Sequence, residues 1–76
     1  MLLTKPKPSF HVSQFAHDRA IHFLARPKQN GLTTEGIQQL TQVAEGYTGS
    51  CDEKAARAGI EWMRQHYRLL GQTPTF

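Results

Sequence analysis

Seventy-six residues leave room for one small domain with one core and nothing further. Hydrophobic residues make up 38% of the chain and charged residues 20%, both below globular averages, yet the apolar residues recur at helical intervals, which describes a folded centre with polar ends. The net charge is +3, and the single cysteine, Cys51, excludes the disulfide-stapled scaffold of small secreted domains and favours a reducing compartment.

A chain this short buries only about 60% of the surface its unfolded form exposes, so a homodimer or a bound protein partner would supply burial that the monomer lacks. Met1-Leu2-Leu3 gives way at once to Thr4-Lys5-Pro6-Lys7-Pro8, too short an apolar run for a signal peptide or a membrane span. The expectation is a cytoplasmic protein without a membrane partner. Charge is uneven along the chain. Residues 1–28 hold Lys5, Lys7, Arg19, Arg26 and Lys28 against Asp18 alone, a net +4, and the remainder is net −1. A basic end of this kind suits phosphates or an acidic protein surface.

In chain order, residues 1–9 alternate lysine and proline, and proline's missing amide donor predicts an extended arm. Phe10-His11-Val12 reads as a hydrophobic lead into the first helix, since an edge strand would find no neighbour. The spacing of Phe15, Ala16, Arg19, Ala20, Phe23 and Leu24 predicts a helix over about 13–25, capped by Ser13 and ended by Arg26-Pro27.

A second helix over about 33–46 starts at Thr33, with Glu35 complementing the dipole and Leu32 stapled to Ile37. Its interior stripe reads Ile37, Leu40, Val43, Ala44 and Tyr47. Gly46 and Gly49 are expected to end it in the left-handed conformation. A third helix over about 51–70 is announced by Ser50-Cys51-Asp52-Glu53, read as a capping box. Ala56, Ile60, Met63, Tyr67 and Leu70 run down one face, while Ala55, Ala58, Gly59, Trp62 and Leu69 widen the apolar surface. Gly71 caps the end, and residues 72–76 read as a flexible tail. The predicted fold class is therefore all-α: a three-helix domain over 10–71 with an extended basic amino-terminal arm over 1–9.

Chemistry-bearing residues are few. His17 and His22 lie five apart, which turns them about 140° from each other around a helix and prevents them from gripping one ion. Asp18 and His22 are spaced for a surface pair only. No metal ligand set, catalytic residue or cofactor is predicted. Cys51, in the first turn of a helix, is the one nucleophile candidate, but Asp52 and Glu53 follow it and oppose a thiolate. The two helices flanking Tyr47-Thr48-Gly49 invite comparison with a DNA-reading helix pair. Asp52 and Glu53, however, stand where phosphate would lie.

The run from Leu32 to Ser50, with its Glu45-Gly46-Tyr47-Thr48-Gly49 turn, resembles the segment that opens the small helical lid of AAA-type ATPases, over about a quarter of the chain. The resemblance implies helix, turn, helix over 33–70. ATP binding does not carry over, because the chain has no phosphate-binding Gly-x-x-x-x-Gly-Lys-Ser/Thr loop.

What remains is apolar helix surface and a basic end. The function expected is a small non-enzymatic interaction or regulatory protein, of the kind bacteria, plasmids and phages encode, which binds a larger protein through Phe15, Phe23, Trp62 and Tyr67. The alternative is a nucleic-acid-binding module that uses Lys5, Lys7, Arg19, Arg26 and Lys28.

Overall fold

In a computed structural model, which describes residues 11–48, 51–72 and 76, three helices follow in order: α1 (Gln14–Ala25), α2 (Thr34–Gly46) and α3 (Glu53–Leu69). The all-α prediction holds, and the arm over 1–9 lies outside the described residues. Among the described residues no helix is long and apolar enough to cross a membrane.

The helix starts are set by side-chain oxygens on orphan amides. Ser13 accepts from the Ala16 amide at 3.1 Å and Thr33 from the Gly36 amide at 3.0 Å, as their positions predict. The third start differs from expectation. Asp52 is the cap: one carboxylate oxygen accepts from Lys54 at 3.0 Å and Ala55 at 3.3 Å, and Gln42 Oε1 takes the Asp52 amide at 2.8 Å. With this charged acceptor serving two amides, α3 begins at Glu53; Ser50, and with it the expected capping box, lies outside the described residues.

The helix ends follow their residues. Arg26 leaves the helical region at φ −140° and ψ 66°, as the position before Pro27 favours, and the Asn30 side-chain amide donates to the Arg26 carbonyl at 3.0 Å. Past α3, Gly71 takes φ +78°, donates to the Arg68 carbonyl at 3.0 Å and lets Gln72 donate to the Tyr67 carbonyl at 2.9 Å, a complete Schellman ending. Gly46, by contrast, is helical and buried beneath Val12, whose amide donates to the Gly46 carbonyl at 3.5 Å.

The interior is built largely from small residues. Ala16, Ala20 and Phe23 of α1, Leu40 and Val43 of α2, and Ala56 and Met63 of α3 form it with Val12. Along α2 the inner line runs Gly36, Leu40, Val43, Gly46, so Ile37 at 36% and Tyr47 at 44% exposure turn outward, contrary to the predicted stripe. The reason is that glycines let neighbours come close, with Leu32 lying over Gly36. Leu70, placed inside by spacing, is 62% exposed because the helix has already ended there.

The tightest contact joins α2 and α3. A Cβ on Gly59 would stand 2.7 Å from Val43 Cγ2 and 2.8 Å from the Gln39 carbonyl oxygen, and that carbonyl belongs to a helix that cannot yield locally. Gly59→Ala should therefore lower stability by about 1–3 kcal/mol through overpacking, outweighing a helix-propensity gain of about 1 kcal/mol. A denaturation midpoint lowered at unchanged slope is the expected result, and adding Val43→Ala should restore only part of it, since the carbonyl remains.

Candidate functional site

α1 and α3 both pack on α2, and the space between α1 and α3 is bridged mainly by rings. Phe23, only 3% exposed, stands at the centre. It meets Trp62 edge-on at 5.3 Å, His66 at 4.9 Å and Tyr67 at 5.7 Å between ring centroids. Each arrangement sets a ring edge against a π face, which adds to the area buried. Trp62 and His66, one turn apart, stack at 5.2 Å with a 19° tilt. Phe76 closes the other side, 5.4 Å from Phe15 and 6.2 Å from Tyr67.

The predicted apolar contact residues thus divide. Phe23 is core. Trp62 and Tyr67 are half-buried and Phe15 is 46% exposed, with the Arg19 guanidinium 5.8 Å from its ring. Spacing alone did not single out His66 or Phe76. A signal for His66 existed in its i, i+4 relation to Trp62. None existed for Phe76, whose partners are distant in sequence and which falls in the stretch read as a flexible tail.

An open groove runs beside this cluster between the start of α1 and the middle of α3. His11, Ser13 and Ala16 form one wall, Arg57, Ile60, Glu61 and Arg64 the other, and Phe76 one end. Its charges are largely matched: Arg57 pairs with Glu53 at 3.2 Å and Arg64 with Glu61 at 3.4 Å, both solvent-exposed and worth little to stability. Of the basic candidates, Arg26 and Lys28 are exposed just past α1, Arg19 is half-buried beside Phe15, and Lys5 and Lys7 lie outside the described residues.

His17 and Cys51 are accounted for structurally. His17 Nδ1 is 2.8 Å from the Ala44 carbonyl, which can only accept, so Nδ1 carries the hydrogen; the ring also stacks on Tyr47 at 4.7 Å. This ties α1 to the end of α2. No group of three or more His, Cys, Asp or Glu residues among the described ones could hold a metal ion. Cys51 is half-buried against the core, and its thiol pKa is raised by burial first, then by Asp52, Glu53 and Glu45.

α2 and α3 are the two helices that the lid resemblance implies over 33–70; Gly49 and Ser50, in the segment between them, lie outside the described residues. No family model, curated protein or solved structure matches the chain.

Two outcomes follow from this geometry. Phe23→Ala should cost about 3–5 kcal/mol, most of the stability available to a chain of this length, and leave an unfolded or molten chain by near-ultraviolet circular dichroism. Cys51 should react with iodoacetamide at neutral pH more slowly than the same thiol in the denatured chain. Because the folded thiol ionises later than the unfolded one, its contribution to stability is intact below the ordinary thiol range and is lost as pH rises through that range toward the raised value.

Proposed function

We propose that this chain is a small non-enzymatic interaction protein that works by docking an aromatic and aliphatic surface onto a larger protein. The observation that carries this reading is the amount of large apolar side chain left outside so small a core. Phe15 is 46%, Ile21 48%, Tyr47 44%, Leu70 62% and Leu69 88% exposed. Water-exposed apolar area of this kind is reduced when a partner covers it. Phe15, with Phe76 against it and Tyr67 behind that, has the make-up of an anchor: a rigid ring, already supported, with the Arg19 guanidinium over its face.

The basic end supports a second reading. Arg26 and Lys28 are both exposed at the close of α1, and with Arg19, Lys5 and Lys7 they would bind phosphate backbones without reading sequence.

The test is to retain partners from a host extract on the immobilised chain and to repeat it with Phe15→Ala. The interaction reading expects one protein held in fixed stoichiometry by the parent and lost with Phe15→Ala, while the denaturation midpoint moves little. Indifference of every retained protein to Phe15→Ala contradicts it. The second reading expects a mixed-sequence nucleic acid to bind with affinity falling steeply as salt rises, and to be released when the five basic residues become glutamine.

A further inference from the structure

Two open depressions meet where α1 ends. One is bordered by His22, Arg26, Gln29 and Asn30, the other by Asn30, Trp62, Gln65 and His66, so that Asn30 belongs to both. The meeting point is held in place, because the Asn30 amide donates to the Arg26 carbonyl at 3.0 Å and to the Phe23 carbonyl at 3.4 Å. Neither depression has a carboxylate in its lining. Two other grooves of the described surface do: Glu61 lines the one between α1 and α3, and Glu35 and Asp52 line the one between α2 and α3.

We infer that this junction binds single-stranded nucleic acid, with phosphates on Arg26 and Lys28 and a base stacked on the Trp62 ring. Such a site rests on the nucleic-acid reading of the basic end and adds to it a place and a strand type.

Charge points to a polyanion. Arg26 and Lys28 are exposed, and among the described residues neither is paired with a carboxylate. Arg26 meets only the neutral Gln29 Oε1 at 3.3 Å, whereas Arg57 and Arg64 stand against Glu53 and Glu61. Residues 11–31 carry Arg19, Arg26 and Lys28 against Asp18, a net +2. Cations without carboxylate partners keep their charge for phosphate, and binding then releases the counterions that phosphate had condensed.

The rings point to a base. Trp62 and His66 stack at 5.2 Å, and Phe23 stands nearly perpendicular to both, which sets the plane of the indole before any ligand arrives. A preset aromatic plane loses little freedom on binding and accepts the π face of any base. The polar side chains beside it are the amides of Gln29, Asn30 and Gln65, which suit the donors and acceptors of base edges. Bases within a duplex are stacked on one another and offer no face to an indole, so the strand is single. A run of Asp and Glu would meet the same cations but would leave the ring plane unused.

Trp62 is the only tryptophan of the chain, so its emission reads the site directly. The purified chain is titrated with a mixed-sequence single strand of about 12 nucleotides, with the corresponding duplex and with a polyglutamate peptide of the single strand's charge, at about 50 and 200 mM salt. The single strand should quench Trp62 and bind at least ~5-fold tighter than the duplex or the peptide. Arg26→Gln with Lys28→Gln, both at exposed positions, should leave the circular dichroism unchanged, weaken binding and reduce the log-log salt slope by about 1.4, the value for two single-strand phosphates. Equal or tighter binding of the duplex or of polyglutamate, binding without a change in Trp62 emission, or indifference to the Arg26 and Lys28 changes overturns the inference. In those cases any nucleic acid still bound keeps the broader nucleic-acid reading standing. Failure of single strand and duplex alike at the lower salt removes both.

Discussion

The close approach of α3 to α2 at Gly59 governs the rest of the domain. With hydrogen in place of a side chain, the α3 backbone comes to rest against the Gln39 carbonyl and the Val43 side chain. That approach draws Ala56 and Met63 onto Leu40 and Val43, and these residues form the best-buried part of the interior. Helices this close need small neighbours, so α1 contributes Ala16 and Ala20 on its inner face. A core of small residues excludes water well but holds little apolar volume. Its stabilisation by burial is correspondingly modest, at roughly 25 cal/mol per Å².

The consequence appears between α1 and α3, whose backbones do not meet closely. Phe23 fills the gap and takes its support from Trp62, His66 and Tyr67. Large side chains are thus drawn to the margin of the fold, where one edge of each ring is buried and the other is wet. The same division explains the exposed residues. Ile37 and Tyr47 were displaced outward when glycines took the inner line of α2, and Leu69 sits on a flank of α3 that neither neighbour reaches. Interior and outer surface are therefore supplied by different residues, and the outer surface can change or be covered with little cost to the fold.

What could be read from the sequence was what acts locally. Ser13 and Thr33 cap because a hydroxyl stands next to free amides, Pro27 stops α1 because its ring constrains Arg26, and Gly71 ends α3 because it can take positive φ. Each depends on residues within a turn of itself. The misreadings came from contacts across the chain. Asp52 caps α3, with Gln42 holding its amide from the neighbouring helix. Gly46 is the last residue of α2, as its sequence suggested, but it keeps a negative φ and serves as a seat for Val12. Phe23 has the periodicity of any apolar helix residue, and its place among the three rings of Trp62, His66 and Tyr67 depends on α3 folding back toward α1. Of the surface candidates, Phe15 was legible as an aromatic of the first helix's apolar spacing, whereas its support from Phe76 was not, since no spacing rule links residues so far apart.

Amide hydrogen exchange under native conditions tests the central claim most directly, because it orders the parts of a structure by the free energy needed to open them. If the α2 and α3 contact at Gly59 organises the domain, the slowest amides lie around Leu40–Ala44 and Gly59–Met63 and exchange only through global unfolding, while those of α1 and of the last turn of α3 exchange earlier. Slowest exchange in α1 or in the segment bearing Trp62, His66 and Tyr67, with the Gly59 region opening first, would contradict the account and move the organising contact to the aromatic cluster.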